Sequence, residues 1–336
     1  MIKFFRKIRQ KMIKDNKVSK YLLYAIGEIA LVMIGILLAL QVNTWNENKK
    51  ANVKFNQLLV NVFNDLEVDL KVAPRVIAYY QVRDTIATNV INGKYSVSDY
   101  KKNQSPFPMI FQYFPFRITD MGYNALMQNT ENIPSKHKEL IADLNRQYIV
   151  ITEAVESTLI VQRRIAENAN SRYTLNFPWY SQNDAVNDEK RGQHFANDPI
   201  YKNEVRTYRS YGFGAYSGSI SSFYGQGLIL YLTLKTILND TNPLPSFFPK
   251  NADSYEIDKL DYVGEYSNPN AIDRNLFIKE KNGFLIIDYD GGYSLLSLIS
   301  KDKFKNHVNG RILTFKRDES NKIISWYNGL NTLSKI

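Results

Sequence analysis

The feature that most constrains this chain is an uninterrupted apolar run near its N-terminus. The run extends from Tyr21 to Val42, and its only strongly polar members are Glu28 and Gln41. As a helix it would be about 33 Å long at roughly 1.5 Å per residue, which is enough to cross a hydrocarbon core of about 30 Å. We therefore predict a transmembrane helix over residues 21–44.

A cleaved signal peptide is the alternative interpretation of such a run. Its apolar core would be shorter, about 7 to 15 residues, and would be followed by a small-x-small cleavage site. The sequence at Ala39 is Leu37-Leu38-Ala39, so a leucine occupies the position where a cleavage site would have its other small residue. The chain has no cysteine, so a lipoprotein anchor is excluded as well. The run is predicted to be an uncleaved signal anchor.

The distribution of charge predicts the orientation of this helix. The formal net charge is +10, and residues 1–20 contain eight Lys or Arg against Asp15 as the single acid. Positive flanks stay in the cytoplasm. We therefore expect a single-pass protein of the inner membrane, with a basic cytoplasmic arm over residues 1–20 and the bulk of the chain in the periplasm. Because the excess charge lies at one end, no nucleic-acid partner is expected.

The basic arm has its own predicted partner, the anionic lipids of the inner leaflet. Within the arm, apolar residues recur at helical spacing among the lysines and arginines: Met1, Phe5, Ile8 and Met12. This spacing is typical of a helix lying on a membrane surface. A disordered tail that only sets the topology explains the same composition, and both interpretations stay open.

One line along the transmembrane helix carries a candidate packing face. At 100° per residue, Glu28, Gly35 and Ala39 fall within about 20° of each other. Small residues four apart let a second helix approach closely, and a carboxylic acid on the same line could hydrogen-bond across the contact. The face would serve a homo-oligomer or a protein partner. Alternatively Glu28 snorkels toward the cytosol, or, as the least favoured reading, it handles protons or ions.

The same residues carry a family resemblance. The sequence KYLLYAIGEI over residues 20–29, IGILLALQVN over 34–43 and WNE over 45–47 resembles the N-terminal signature of a family of uncharacterised single-span envelope proteins from Bacteroidota. The resemblance implies the topology and the protein class. It implies no activity and no catalytic residue.

Beyond the membrane, the apolar periodicity predicts an antiparallel helical bundle over residues 46–240. A first stripe with 3-4 spacing runs until Pro74, which should kink or end the helix: Leu58, Leu59, Val62, Phe63, Leu66 and Leu70. A second seam follows Ser135: Ile141, Leu144, Tyr148, Ile151, Val155, Leu159, Gln162 and Ile165. Asp198 and Pro199 form a cap and first-turn pair for a last helix toward Asn239, which interior glycines should weaken.

The last third of the chain changes period. Residues 241–254 contain Pro243, Pro245 and Pro249 and predict a stiff linker. Residues 255–336 then show short alternating segments: 261–267, 275–281, 284–289, 293–299, 310–317 and 322–328. We predict a small antiparallel β-barrel or sandwich, and overall a membrane-anchored α+β fold. The pattern Tyr262-Val263-Gly264-Glu265-Tyr266 resembles the small lipocalin-like barrel appended to some bacterial serine hydrolases.

The sequence offers little chemistry. His137, His194 and His307 are far apart, and the nucleophile-elbow and phosphate-loop motifs are absent. We expect no enzymatic activity, no cofactor and no metal. Two aromatic clusters are candidate recognition surfaces, although ordinary core and loop packing is the favoured explanation of the same residues. The residues singled out in them are Phe111, Tyr113, Phe114 and Phe116 in the first and Tyr208, Tyr211 and Tyr216 in the second.

These observations favour a non-enzymatic periplasmic interaction or scaffold module carried on a membrane helix. Two alternatives stay open. One is a module that senses a periplasmic ligand and signals through the helix, which is disfavoured because only about 20 residues would lie in the cytoplasm. The other is an accessory to an envelope hydrolase.

Overall fold

The computed structural model describes residues 18–101, 109–182, 184–250, 256–268, 275–289 and 292–336. The predicted basic arm, apart from residues 18–20, lies outside the described residues, as does the end of the predicted linker. By their contacts, the residues divide into two compact units. One comprises residues up to 57 together with 129–135, and the other comprises 58–128 with 136–336.

The N-terminal part of the chain is helical, as predicted. Helix α1 spans Val18–Ile91. An 18-residue window within it has a mean hydropathy of 2.3, and none of that window is buried. By length and composition, α1 therefore contains a candidate membrane span.

Helix α1 continues through Pro74 rather than ending there. A proline inside a helix removes one backbone hydrogen bond and costs about 3 kcal/mol. Ala73, Val76 and Tyr80 are fully buried on either side of it. Their packing offsets the missing bond, which the local sequence rule does not take into account. The predicted stripe from Leu58 to Leu70 is buried and confirmed.

The other helices belong mainly to the second unit. In chain order they are α2 (Val97–Tyr100), α3 (Met121–Met127), α4 (Lys138–Asn145), α5 (Thr152–Asn176), α6 (Ala185–Asn197), α7 (Pro199–Arg209) and α8 (Gly218–Ile237). Short 3-10 turns lie at Met109–Phe111, Thr130–Asn132, Ser135–His137 and Lys259–Tyr262. The cap at the start of α7 is confirmed, because the Asp198 carboxylate accepts from the N–H groups of Ile200 (2.6 Å) and Tyr201 (3.2 Å).

Two π-helical segments interrupt the long helices. The first π segment, Arg146–Ile151, joins α4 to α5, and the second π segment, Ser210–Ser217, joins α7 to α8. A π turn accommodates one extra residue. Accordingly, two consecutive residues are buried in each segment: Gln147 and Tyr148 in the first, Tyr216 and Ser217 in the second.

The glycines expected to weaken the last helix include two that permit close packing. At Gly225, an added Cβ would overlap the Cγ2 of Val308 and lie 3.2 Å from its Cα and N atoms. At Gly227, an added Cβ would lie 2.8 Å from a methyl group of Leu70. The expected weakening applies to exposed glycines in the interior of a helix, and these two positions are buried contacts to which it does not apply.

Residues 264–335 form a closed antiparallel barrel of eight strands in sequential order. The strands are β1 (Gly264–Ser267), β2 (Asn275–Lys281), β3 (Phe284–Tyr289), β4 (Gly292–Ser300), β5 (Lys303–Asn306), β6 (Ile312–Arg317), β7 (Ile323–Tyr327) and β8 (Thr332–Lys335). Strand β8 closes the barrel on β1, with Tyr266 opposite Lys335. The prediction of a small β domain is confirmed in its barrel form.

Bulky side chains fill the interior of the barrel. They include Tyr262, Tyr266, Phe304, Phe315 and Trp326, each at most 5% exposed. The segment predicted as a linker packs against this barrel and against α8. The Phe248 ring lies 5.4 Å from Phe284 of β3 and 6.0 Å from Tyr231 of α8. Barrel and bundle therefore share apolar contacts.

Candidate functional site

A cleft of about 1060 Å³ lies between the bundle and the barrel, within the second unit. Its walls come from α1, both π segments, the starts of α5 and α8, residues 247 and 249, Lys305 of β5, and the turn over residues 307–311 that joins β5 to β6. Ligand pockets commonly measure about 300–1,000 Å³. The cleft therefore has room for a ligand at the upper end of that range.

The turn between β5 and β6 is held against α8 where the two walls of the cleft meet. The absence of a side chain at Gly225 lets Val308 approach the helix. Beside it, the rings of Tyr224 and His307 lie 6.3 Å apart. The Tyr224 hydroxyl donates to the carbonyl oxygen of Phe247 at 3.2 Å. These contacts fix the position of the basic residues that flank Val308.

Three permanent cations line the cleft. They are Arg146 of the first π segment, Lys305 of β5 and Arg311 of the turn that follows β5. No Asp or Glu is among the described residues that line the cleft, and none of the three cations forms a salt bridge within the described part of the chain. The Nε atom of Arg146 is buried without a hydrogen-bond partner there. Asp143, one turn before Arg146, lies near enough for the two charges to interact: burial raises the pKa of Asp143, and the charge of Arg146 lowers it. The lining of the cleft itself therefore carries positive charge without a carboxylate among its described residues.

The serines of the cleft present acceptors rather than donors. The Ser219, Ser221 and Ser222 hydroxyls donate to the carbonyl oxygens four residues earlier, at 3.1, 2.8 and 3.2 Å. A hydroxyl that has used its proton keeps two lone pairs. The Ser219 oxygen also lies 3.5 Å from the Thr158 hydroxyl as an acceptor and keeps one lone pair, whereas the Ser221 and Ser222 oxygens keep both. Each serine oxygen can therefore accept at least one hydrogen bond from a ligand.

Gln226 supplies an amide to the same wall. Its side chain is 8% exposed and lines the cleft, and it makes no hydrogen bond to a described residue. An amide offers two donors and one acceptor. The amide atoms of Gln226 are not among the buried unpaired atoms of the described residues, so they reach the open space of the cleft and can hydrogen-bond to a polar group there.

His307 does not add to the charge of the cleft near neutral pH. Burial, together with the smaller effect of the Lys305 charge, lowers the pKa of His307 to about 4. The Nε2 atom of His307 lies 2.8 Å from the Ser297 hydroxyl, which is consistent with a neutral ring that shares a hydrogen bond. The positive charge of the cleft therefore comes from the lysine and the two arginines.

Hydrogen bonds between tyrosine hydroxyls and backbone groups connect the two predicted aromatic clusters. The hydroxyl of Tyr208 donates to the carbonyl of Gln112 at 2.8 Å, and the N–H of Phe116 donates to the hydroxyl of Tyr216 at 2.6 Å. In the same way, the N–H of Phe114 donates to Tyr80 at 3.1 Å. Tyrosines of the helices thus anchor the extended segment over residues 112–120.

The aromatic candidates differ in exposure. Phe116, Tyr208 and Tyr216 are buried, whereas Phe111 and Tyr113 are half-buried. The Phe111 ring packs 5.0 Å from Tyr173, and Phe114, which packs 5.3 Å from Tyr79, is 37% exposed. Tyr211 is 42% exposed. The buried rings serve packing, and the more exposed rings do not line the cleft.

A buried carboxyl group also holds the extended segment. Asp69 of α1 is 2% exposed and accepts from both the N–H and the hydroxyl of Thr119, at 2.9 and 3.0 Å. Burial is the largest cause that raises the pKa of Asp69, the two Thr119 bonds oppose it, and the charges of Asp65 and Asp120 add to it, which together bring the pKa to about 7. Asp69 therefore titrates near neutral pH in the folded protein.

The predicted packing face of the membrane helix lies in the first unit. No other atom lies within 4 Å of where a Cβ at Gly35 would be, and Ala39 is exposed. Glu28 is half-buried and already takes part in a hydrogen bond or an electrostatic interaction. A packing role for these three residues stays a prediction.

The second histidine of the chain lies in a buried hydrogen-bond chain. His194 Nε2 lies 2.9 Å from the Tyr173 hydroxyl, and its Nδ1 lies 3.2 Å from Asp198. Burial lowers the pKa of His194, whereas Asp198 raises it. Tyr173 is 1% exposed, so this chain joins three helices rather than facing solvent. Among the described residues, no three His, Asp or Glu side chains could hold a metal ion together.

Sequence reasoning included Phe213 and Tyr224 in the second aromatic cluster, but it missed the charged residues of the cleft. Arg146, Lys305 and Arg311 lie on separate elements and follow no spacing rule. The nearest signal is the run of serines and glycines over residues 217–227, which interrupts the apolar pattern. That run was treated as a weakness of a helix rather than as one wall of a site.

Comparison with known proteins gives one match. Residues 28–163 match a family described as a family of unknown function, DUF6090. The match covers less than half of the chain and extends from the apolar stretch of α1 into α5. No curated protein and no solved structure matches the chain.

Proposed function

We propose that this protein is a single-span protein of the inner membrane whose second unit is a non-enzymatic binding module in the periplasm. The observation that carries the proposal is the apolar stretch of α1, whose most apolar 18-residue window is entirely exposed. Exposed apolar surface of that length is stable in a hydrocarbon environment and costly in water.

Two features of the sequence support the orientation. The eight basic residues before the apolar stretch favour a cytoplasmic N-terminus. The signature over residues 20–47 is similar to that of single-span envelope proteins of Bacteroidota. In this arrangement the basic arm contacts anionic lipids, and the face of Glu28, Gly35 and Ala39 is available to a second membrane helix.

The cleft between bundle and barrel supports a binding role. Its polar groups are cations, serine acceptors and an amide, which recognise a ligand through charge and hydrogen bonds. Its histidine is held neutral by burial, as its lowered pKa of about 4 indicates. These groups orient a ligand without an acid-base pair for bond cleavage.

Signalling is the second candidate, and one observation favours it. Helix α1 contains both the candidate membrane span and the cleft residues Pro74, Ile77 and Gln81. A ligand that displaces this part of α1 would act on the same helix that crosses the membrane. Ligand-dependent protease sensitivity of residues 1–20 in right-side-out and inverted vesicles would distinguish sensing from simple binding.

The topology can be tested with paired reporter fusions. Alkaline phosphatase fused after Ile336 should be active, whereas the same enzyme fused after Lys20 should be inactive. A cytoplasmic reporter such as β-galactosidase should give the opposite pair, which controls for expression. Phosphatase activity after Lys20 and none after Ile336 would overturn the proposed localisation.

A further inference from the structure

The cleft combines two sets of hydrogen-bonding groups that suit different parts of one ligand. Arg146, Lys305 and Arg311 offer charged donors without a carboxylate among the described lining residues. The oxygens of Ser219, Ser221 and Ser222 offer acceptors, because their protons are already used. A complementary ligand must therefore carry anionic groups and, beside them, several hydroxyl donors.

We propose that the cleft binds an acidic glycan, a saccharide that carries carboxylate or phosphate groups. The anionic groups would meet the arginines and the lysine in charge-assisted hydrogen bonds, and the sugar hydroxyls would donate to the serine row. Phe213, which lines the cleft and is 37% exposed, offers a ring face to the C–H side of a sugar. Gln226 provides one further donor or acceptor.

The position of the two π segments supports this assignment. Both segments line the cleft, the first with Arg146, Val150 and Ile151 and the second with Phe213, Gly214, Ala215 and Ser217. Single-turn π insertions inside helices are frequent at functional sites. Here they bring Arg146 and Phe213 to the same cleft from two different helices.

Glycan binding rests on the proposed function in one respect, the source of the ligand. In the periplasm that source would be an envelope polysaccharide. Binding by the purified protein does not depend on the side of the membrane on which the cleft lies. A failure to bind glycan and a failure of the proposed topology would therefore be separate results.

The test uses the full chain purified in mild detergent and three probes of similar length. They are an oligogalacturonate, which is a carboxylated saccharide, a neutral malto-oligosaccharide, and oligo-glutamate, which has the charge without the sugar. Isothermal titration should show binding of the oligogalacturonate, weaker binding of the oligo-glutamate and no binding of the malto-oligosaccharide. Binding should weaken as salt is raised, since cations at the mouth of the cleft are screened.

Charge variants test whether binding occurs in the cleft. The double substitution Lys305→Gln with Arg311→Gln should weaken binding of the oligogalacturonate at least about tenfold, since hydrogen bonds to charged groups contribute this much or more. The matched control is Lys303→Gln with Lys316→Gln. It removes the same charge from exposed barrel positions outside the cleft and should change affinity less than about twofold.

Serine variants test whether the ligand is recognised as a sugar. Ser219→Ala with Ser222→Ala should weaken binding of the oligogalacturonate and leave binding of the oligo-glutamate unchanged. Unchanged melting temperatures and circular dichroism would establish that each variant is folded. Equal losses in the cleft and control charge variants, tighter binding of the oligo-glutamate, or no binding of the oligogalacturonate would each overturn the proposal.

Discussion

The backbone N–H of Phe116 donates to the Tyr216 hydroxyl at 2.6 Å, across 100 residues of sequence. Both residues are at most 2% exposed. The hydroxyl of Tyr216 is thus the acceptor that satisfies a buried N–H in the extended segment. A buried donor without an acceptor costs about 1–3 kcal/mol.

Tyr216→Phe should therefore destabilise the protein by about 1–3 kcal/mol, since it removes the acceptor and leaves the ring. Urea denaturation would measure the loss, and hydrogen exchange at the Phe116 amide should accelerate. The matched control is Tyr211→Phe, because Tyr211 is 42% exposed and makes no hydrogen bond to a described residue. A Tyr216→Phe variant as stable as the control would contradict this role.

Gly225→Ala should weaken the contact between bundle and barrel. The new methyl group would overlap the Val308 side chain and press on its backbone, and overpacking of this kind costs about 1–3 kcal/mol. Hydrogen exchange should increase over the β5–β6 turn. Gly218→Ala is the control in the same helix, because nothing lies within 4 Å of its added Cβ. That variant should be neutral or more stable, by up to about 1 kcal/mol.

Asp69 should make stability fall as pH rises from about 4 to 7. Burial is the main reason that its pKa lies near 7 in the folded protein, against 3.8 for an ordinary Asp. Between these values the folded state holds a proton that the unfolded state has lost. Stability therefore decreases with pH, by at most about 1.4 kcal/mol per pH unit for this one group.

Asp69→Asn should remove that slope and leave the protein at least as stable as the natural sequence at pH 8. The amide retains an acceptor for the Thr119 N–H, and its NH₂ can donate to the Thr119 hydroxyl. Urea denaturation from pH 4 to 8 would measure the effect. The control is Asp99→Asn, whose exposed carboxylate has a pKa lowered by hydrogen bonds from Ser96. This control should lose stability above that pKa, and an unchanged slope in the Asp69 variant would refute the role of Asp69.

The predicted packing face of the membrane helix can be tested by replacing a small residue on that face with a bulky one. Gly35→Ile should block close approach of a second helix, and Glu28→Gln should be milder because the amide still hydrogen-bonds. Co-purification of two differently tagged copies, or a membrane-helix association reporter with a native partner present, would measure the effect. Gly27→Ile is the control, since Gly27 is the neighbouring glycine of the same helix and lies off the line. Association equal to that of the natural sequence in the Gly35 and Glu28 variants would leave Glu28 as a snorkelling carboxylate.

Sequence patterns predicted the strands whose bounds are set by neighbouring residues, such as those beside a tight turn. Strands β2 and β3 agree with their predicted bounds, because a turn at Asn282 and Gly283 separates them and the apolar run of β3 begins directly after it. Both turn residues have positive φ, at 51° and 82°. Strand β5 was missed, since its four residues bury one large side chain, that of Phe304, and become a strand only when the barrel closes.

The cleft could not be predicted for a related reason. Arg146 looks like an ordinary polar residue of a helix, and Lys305 and Arg311 look like exposed charges near a turn. Only the packing of the β5–β6 turn against Gly225 brings them to one surface. The tyrosines were predicted as candidate recognition residues, and the hydroxyls of Tyr208 and Tyr216 hydrogen-bond to backbone groups, which sequence patterns do not reveal.

The extra residue in the second π segment sets the rotational phase of one long helix. Before it, Tyr208 faces the extended segment, and after it Gly225 faces the barrel. In a helix with 3.6 residues per turn, removing one residue would rotate everything that follows by about 100°. The main effect of a single deletion between Ser210 and Ser217 would thus be to rotate helix α8 about its axis, and the change in its length would matter less. The shortened helix could keep the hydrogen bond from Tyr208 to the extended segment or the contact of Gly225 with Val308 of the barrel, but not both.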